Sequence, residues 1–278
     1  MARTDVEHND AFRRTGLRLR IPFEGSRLAV IGDVHGNLPA LHAAIHDAVR
    51  RGAGLVVSTG DIVGYGPWPQ ACIDFIRERC IPVAQGNYDR GAGEGLADCG
   101  CAYRTARERR TGQISLSWTT RAINDEGRQW LRGLPFALEI AGTGGQPLAV
   151  VFHGSPRRVN EYVREDRPLG SLGALLAGDA APVAVCGHTH VPYVRPLGGN
   201  RLLVNAGSAG RPRHGRPLAT YAMIHLGRLD DPALPAGEPS EAAELIEVPY
   251  EADRAASAVL ASGLPEEFAV MLRTGQGD

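Results

Sequence analysis

Short apolar runs of strand length recur along the chain, and each stops abruptly at a glycine or a polar residue. They occupy 27–32 (RLAVIG), 55–60 (LVVSTG), 81–86 (IPVAQG), 148–152 (LAVVF), 183–187 (VAVCG) and 202–204 (LLV). Runs this short and this uniformly apolar predict strands buried on both faces. Between the first three lie 38–51, with Leu38, Leu41, Ile45 and Val49 at helical spacing, and 68–79, with Ala71, Ile73 and Ile76. Strands alternating with helices predict a parallel α/β start. A helix is expected over 113–132. Further strands are expected at 217–226 and 244–249, separated by the loop DDPALPAGEPSE, and a helical tail at 251–273 breaks near Gly263 and Pro265. Residues 1–26 read as a polar extension in which LRLRI (17–21) alternates like an edge strand. Residues 27–278 read as one domain, with no internal repeat or dividing linker.

Composition narrows the function classes. The 278 residues, 43% of them hydrophobic, suffice for one large domain or two small ones. Thirty Lys and Arg against 31 Asp and Glu leave a formal charge of −1. Bulk electrostatics therefore give no basis for binding nucleic acid or an anionic membrane, although a local patch remains open. With 6% aromatic residues, a stacking platform for single strands is not expected. The 35 glycines and 19 prolines make up about a fifth of the chain against about 12% in average usage; spread evenly, they predict many tight connections. Five cysteines (Cys72, Cys80, Cys99, Cys101, Cys186), odd in number and without a CxxC pair, do not form a disulfide framework. No stretch approaches the roughly 18 apolar residues of a membrane span. The first sixteen residues have neither a hydrophobic signal core nor the acid-poor character of a transit peptide, so a cytoplasmic location is expected.

The candidate chemistry stands at the carboxyl ends of the apolar runs: Asp33 and His35, then Asp61, Asn87, His153, and finally His188 and His190. Open α/β sheets place ligands beyond those strand ends, so separated positions converge where the strands are neighbours. Three oxygen donors and four imidazoles suit Mn²⁺, Fe or Zn²⁺ better than Ca²⁺ or Mg²⁺. Seven donors exceed the need of one open catalytic metal; two ions sharing a carboxylate fit better, an arrangement that clamps a phosphoryl group and activates water. Taken singly, Asp-x-His is an ordinary turn and His153 an ordinary core histidine. His-x-His at 188–190 says more, since alternate residues of an extended segment reach the same side. Glycines at 32, 36, 60, 64, 66, 86, 154 and 187 flank these positions, where the backbone must turn sharply or approach an ion.

In order, GDVHGN (32–37), GDIVGYGP (60–67), GNYD (86–89), HGS (153–155), GHTH (187–190) and NAGS (205–208) resemble the calcineurin-like metallophosphoesterase superfamily over residues 27 to about 226. DCGCAY (98–103) and SLSW (115–118) resemble a bacterial single-domain subgroup with a Gly-rich loop after the third motif. The resemblance implies a four-layer α/β/β/α sandwich of two facing mixed sheets flanked by helices. It implies that Asp33, His35 and His190 bind a first metal, that Asp61 bridges, and that Asn87, His153 and His188 bind a second. The implied activity is hydrolysis of phosphate mono- or diesters by a metal-bridging hydroxide, with Asp61, Asn87, Tyr88 and His190 as the catalytic set.

Most of that family has histidine where this chain has Tyr88. Tyrosine, with an ordinary pKa near ~10, donates a hydrogen bond but matches proton transfer at neutral pH poorly. Diesters are accordingly favoured over monoesters, and the leaving-group acid is left unassigned. Asn87, Tyr88, Arg90 and Arg213 are the expected substrate contacts. Arg211, His214 and Arg216 stand nearby as either phosphate clamps or a solvated loop. The loop GAGEGLADCGC (91–101) is a candidate lid. Cys99 and Cys101 read as packed thiols or, less simply, part of a third metal site; His42 and His46 read as surface histidines. Alternative readings are a serine/threonine protein phosphatase, a dinucleoside polyphosphate hydrolase, and a metal-binding scaffold with little turnover. The expected partner is a small phosphate ester, with no membrane, no basis for nucleic acid, and room for a homo-oligomer.

Overall fold

Two mixed sheets face each other, and the alternation within each strand decides which core a side chain enters. The computed structural model describes residues 18–228 and 239–276. One sheet has the order β1 (Arg18–Pro22), β4 (Ala137–Ala141), β5 (Pro147–Phe152), β6 (Val183–Cys186), β8 (Arg201–Asn205) and β7 (Tyr193–Gly198). The other runs β10 (Ala243–Pro249), β9 (Leu218–His225), β2 (Arg27–Ile31) and β3 (Leu55–Ser58). In the first sheet β1 is parallel to β4 and β6 to both β5 and β8, whereas β4–β5 and β7–β8 are antiparallel. In the second, β2 and β3 are parallel and β9 is antiparallel to both its neighbours.

On β2, Leu28 and Val30 enter a core between the sheets with Ile140, Val151, Val185 and Val204. Ala29 and Ile31 point the other way, toward the helices. That second face is covered by α1 (Leu38–Arg50), α2 (Pro69–Glu78), α7 (Ala252–Ser262) and α8 (Glu266–Thr274). Beyond the six-stranded sheet, Val150, Phe152 and Ala184 meet Leu172 and Leu175 of α6 (Leu169–Leu175). The layers are thus α/β/β/α, as expected. Each fully buried Val, Leu or Ile contributes about 1.5–3 kcal/mol by leaving water.

Several elements depart from the sequence pattern for identifiable reasons. Residues 81–86 make a single bridge, Val83 to Ser58, since Pro82 has no N–H to donate and the chain turns at Gly86 into α3 (Asn87–Glu94). The helix expected over 113–132 is two, α4 (Ala106–Ala122) and α5 (Asp125–Arg132). Asn124 separates them by capping α5, its Oδ1 accepting from Gly127 N at 2.7 Å. On α1 the buried face is Leu41, Ala44, Ile45 and Ala48, and Val49 is exposed; the alanines let the helix sit close to the sheet. The expected lid at 91–101 begins as the last turns of buried α3. A side chain at Gly93 would press on Arg132 N and Leu131 Cβ at 3.1 Å, so its first glycines serve close helix packing. β1, which the 17–21 alternation anticipated, pairs with β4 and sends Ile21 toward the inter-sheet core. Residues 1–17 of the polar extension lie outside the described residues, as does most of the 230–241 loop.

Candidate metal centre

β2, β3, β5 and β6 carry Asp33, His35, Asp61, His153, His188 and His190 just beyond their carboxyl ends, and Asn87 opens α3. The turns that do this are strained. Asp33, His35, Asp61, His188 and His190 all have φ between 49° and 66°, a left-handed conformation that costs about 1–3 kcal/mol for such residues. Tyr65 shares it at 57°. Two glycines make the approach feasible: a Cβ on Gly86 would collide with the Asp61 carboxylate and one on Gly187 with that of Asp33.

Side chains distant in sequence hold these turns. Asp89 accepts from Asp61 N and Ile62 N, both at 2.8 Å, and from Gly86 N at 3.0 Å, clamping the second motif to the third. From the NAGS segment, Ser208 Oγ donates to Asp33 O at 2.7 Å. Asn205 Nδ2 donates to Gly187 O at 2.8 Å and Thr189 Oγ1 at 3.0 Å. Asn37 caps α1 and donates to Gly210 O at 3.0 Å. The sequence motifs contained these four residues but gave no sign of their roles.

Each imidazole is pinned by a backbone carbonyl: His35 Nδ1 on Val63 O (3.2 Å), His190 Nδ1 on Arg211 O (2.9 Å), His153 Nδ1 on Thr59 O (3.1 Å) and His188 Nε2 on Asn160 O (3.2 Å). A carbonyl only accepts, so the proton sits on the pinned nitrogen and the lone pair on the other. The free lone pairs then face one another. His35 Nε2 and His190 Nε2 are 3.0 Å apart, and His153 Nε2 and His188 Nδ1 3.2 Å. Asn87 Nδ2 donates to Cys99 O at 3.0 Å and Cys101 Sγ at 3.3 Å, which turns its Oδ1 to 2.9 Å from His153 Nε2. Asp33 Oδ1, 3.1 Å from His190 Nε2, is buried without a donor. Acceptors this close repel unless a positive charge sits among them.

Among the described residues there are two such groups, Asp33–His35–His190 and Asp61–His153–His188, each with its potential ligand atoms within 4.8 Å. Asp61 Oδ1 is occupied by Tyr88 N at 2.8 Å; its Oδ2 faces both groups, 3.7 Å from His35 Nε2 and 3.4 Å from His153 Nε2. The donor set therefore fits two cations, with Asp61 between them. Burial drives His35 down to about 3 and His188 and His190 well below the usual histidine range, so these three are neutral imidazoles, the form that can coordinate a metal. Burial raises Asp33 and, with Asp61, pushes Asp89 up to about 7. His153 is the exception: burial opposes its charge, but the Asp61 carboxylate prevails and lifts it to about 9. In the metal-free protein a proton on His153 supplies part of the missing positive charge.

A cavity of about 620 Å³ opens above the centre. His35, Asp61, His188 and His190 form its floor, and Tyr65, Tyr103, Tyr162, Arg164, Arg211 and Arg213 are among its walls. Arg213 is thus brought to the site. Arg90 is not among the lining residues, and its Nε donates to Glu94 Oε1 at 3.1 Å on α3. Tyr88 is among the lining residues, and its hydroxyl lies 3.5 Å from Gly112 O of α4. Cys101 also lines the cavity, with its Sγ 3.3 Å from that of Cys99; no third metal group includes either thiol among the described residues. His214 and Arg216 instead meet Glu247 on β10. The tyrosines at 65, 103 and 162 escaped the sequence reading because nothing in a lone tyrosine announces a cavity.

An α/β/β/α sandwich with a buried nitrogen and oxygen site at its strand ends, shared by one carboxylate, defines a metal-binding protein of the metallophosphoesterase kind. The chain belongs to the calcineurin-like phosphoesterase superfamily, whose domain model matches residues 27–228. An uncharacterised protein of Methanocaldococcus jannaschii is 30% identical over 272 residues, covering 90% of this chain and 99% of that one. The crystal structure of a metallophosphoesterase from Sphaerobacter thermophilus superposes with a TM-score of 0.68 at 26% identity, covering 91% of this chain and all of the other. A hypothetical protein from Pyrococcus horikoshii shares the fold, with a TM-score of 0.70 at 23% identity over 91% of this chain and 99% of that one.

Proposed function

We propose that the chain is a dinuclear metal-dependent hydrolase of small phosphate esters, diesters in preference to monoesters. The observation that carries this reading is the pair of facing acceptor clusters sharing Asp61 Oδ2 beneath an arginine-lined cavity. Two divalent cations held there would supply an activated water as nucleophile and neutralise charge on the phosphoryl oxygens. Asp33, His35 and His190 would hold one cation, Asn87, His153 and His188 the other, and Asp61 would be shared between them. With neutral imidazoles, two carboxylates, an amide and no thiolate, the set suits Mn²⁺, Fe or Zn²⁺. The carbonyls behind each histidine fix its tautomer, so no ring must reorient when metal or substrate arrives. Arg213 provides a planar guanidinium for anionic oxygens at the cavity wall. The preference for diesters rests on Tyr88, a poor acid at neutral pH. The described residues contain no helix long and apolar enough to cross a membrane.

Protein stripped with a chelator and reloaded with Mn²⁺ is expected to hold two ions per chain and to hydrolyse bis-p-nitrophenyl phosphate faster than p-nitrophenyl phosphate. Two bound ions with no turnover of either ester would leave a metal-binding scaffold. A reversed preference would make it a monoesterase.

A further inference from the structure

Arg211 belongs to no metal-ligating motif, yet its backbone is part of the ligand loop. Its carbonyl accepts from His190 Nδ1 at 2.9 Å and its N–H donates to Ser208 Oγ at 2.8 Å. The side chain returns over the cavity, with Cζ 3.9 Å from the centroid of the Tyr65 ring, a close cation–π distance. Tyr65 is itself fixed. Its ring stands edge-on to His35 at 4.9 Å and to Phe268 at 5.0 Å, and its N–H donates to Ser115 Oγ at 2.8 Å.

A guanidinium carries five N–H donors. Among the described residues, that of Arg211 donates only to the Met271 thioether, at 3.2 Å, and its buried Nε has no partner. No carboxylate among those residues forms an ion pair with it, whereas Arg107 in the same cavity is paired with Glu267. Arg213 lines the cavity too, and burial together with the charge of Arg211 lowers its own pKa. Unmet donors and neighbouring like charges cost free energy, and an oxyanion relieves both.

We propose that Arg211, held over the Tyr65 ring, donates to a non-bridging oxygen of the phosphoryl group seated on the metal centre. The inference rests on the phosphoesterase reading for its ligand. Arg211 is a catalytic residue in this account and Tyr65 a positioning residue. A guanidinium does not surrender its proton in a protein, so Arg211 stabilises charge on the phosphoryl oxygens without protonating the leaving group.

Inorganic phosphate binding to Mn²⁺-loaded protein, measured by titration calorimetry beside turnover of bis-p-nitrophenyl phosphate, tests this. Arg211→Gln is expected to weaken phosphate binding at least about tenfold and to lower kcat about a hundredfold, with metal content unchanged. Arg211→Lys, lacking the planar fork, recovers only part of either. Tyr65→Leu is expected to lower kcat about tenfold with KM nearly constant, and Tyr65→Phe, which keeps the ring, to restore kcat. Wild-type phosphate affinity and turnover in folded, metal-loaded Arg211→Gln would overturn the proposal. Metal-loaded wild-type protein that hydrolyses neither ester overturns the phosphoesterase reading instead, and the phosphate titration still decides the role of Arg211.

Discussion

The candidate metal ligands and the cavity wall above them come from different kinds of sequence. Apart from Asn87, which opens α3, every ligand stands within four residues of the end of β2, β3, β5 or β6. Those strands are registered by sheet hydrogen bonds, so the ligands inherit their positions from the ladder. The wall is assembled otherwise: Tyr103 and Arg104 precede α4, Tyr162 and Arg164 precede α6, Arg211 and Arg213 join β8 to β9, and Met271 lies on α8. Loop conformation, and not register, decides where these point. Damage to the floor should therefore remove chemistry outright, and damage to the wall should grade it.

The largest effect is expected from Asp61→Asn. It preserves shape and leaves an oxygen for Tyr88 N–H, but takes away the charge facing both metal groups. Turnover should fall at least about a thousandfold, with fewer than two Mn²⁺ per chain by elemental analysis. In wild-type protein, metal at a hundredfold excess over its Kd contributes about 2.7 kcal/mol per site, raising the unfolding midpoint by about 5–10 °C. In Asp61→Asn that rise should shrink, and the chelated variant should also lose the stabilisation that Asp61 gives the fold by holding the His153 proton, so at pH 7 it is expected to unfold earlier than chelated wild type. Wild-type turnover in the variant would end the bridging account.

At the wall, Arg213→Gln should raise KM for the diester about tenfold while kcat changes less than about threefold, the pattern of lost uniform binding. Metal content should not move. A fall in kcat with KM constant would instead place Arg213 at the reacting phosphorus and blur the distinction between floor and wall.

That distinction also marks how much the sequence disclosed. The apolar runs ending at Gly32, Gly60, Phe152 and Gly187 announced strands and, with the run ending at Gly86, all seven candidate ligand positions; period-2 alternation even placed β1. Residues 81–86 looked like another strand because hydropathy does not register the N–H that Pro82 lacks. The segment 91–101 looked like a lid because glycines that let α3 pack on α5 are the same letters as glycines that flex. Tyr65, Tyr103 and Tyr162 left no trace, and Arg211 stood only as either a phosphate clamp or a solvated loop residue, since a wall residue needs only to be near the site in space.

Between floor and wall sits a proton. His153 is lifted to about 9 by Asp61, so in metal-free protein at pH 7 it is charged, and a cation must displace that proton to use Nε2. Affinity for the second ion should rise about tenfold per pH unit toward 9 and then level off. Calorimetry in buffers of differing ionisation enthalpy should find close to one proton released at pH 7.5. The same shift stabilises the metal-free fold below the ordinary histidine pKa, and that contribution is lost as pH rises through about 9. Metal-free protein should unfold more readily at pH 9 than at pH 6.5, and metal-loaded protein should lack this contribution.

The smallest expected effect concerns the residue that borders both regions. Tyr88 gives its N–H to Asp61 and is among the residues lining the cavity, its ring packed 5.5 Å from His35 and 4.7 Å from Tyr65 between centroids, while its hydroxyl reaches Gly112 O only at 3.5 Å. A hydrogen bond that long contributes at the low end of about 0.5–1.5 kcal/mol. Tyr88→Phe should therefore cost less than about 1 kcal/mol of stability and leave the ratio of aryl-ester to alkyl-ester turnover in place. Tyr88→His puts a group with an ordinary pKa near ~6.5 at the same ring position. If the chain lacks a leaving-group acid there, the substitution should favour alkyl esters, whose leaving groups need a proton, over p-nitrophenyl esters, whose leaving group departs without one. A narrowing of the ratio of about tenfold is expected. An unchanged ratio in Tyr88→His, together with a large shift in Tyr88→Phe, would assign proton donation to the tyrosine hydroxyl itself and make this wall position part of the chemistry.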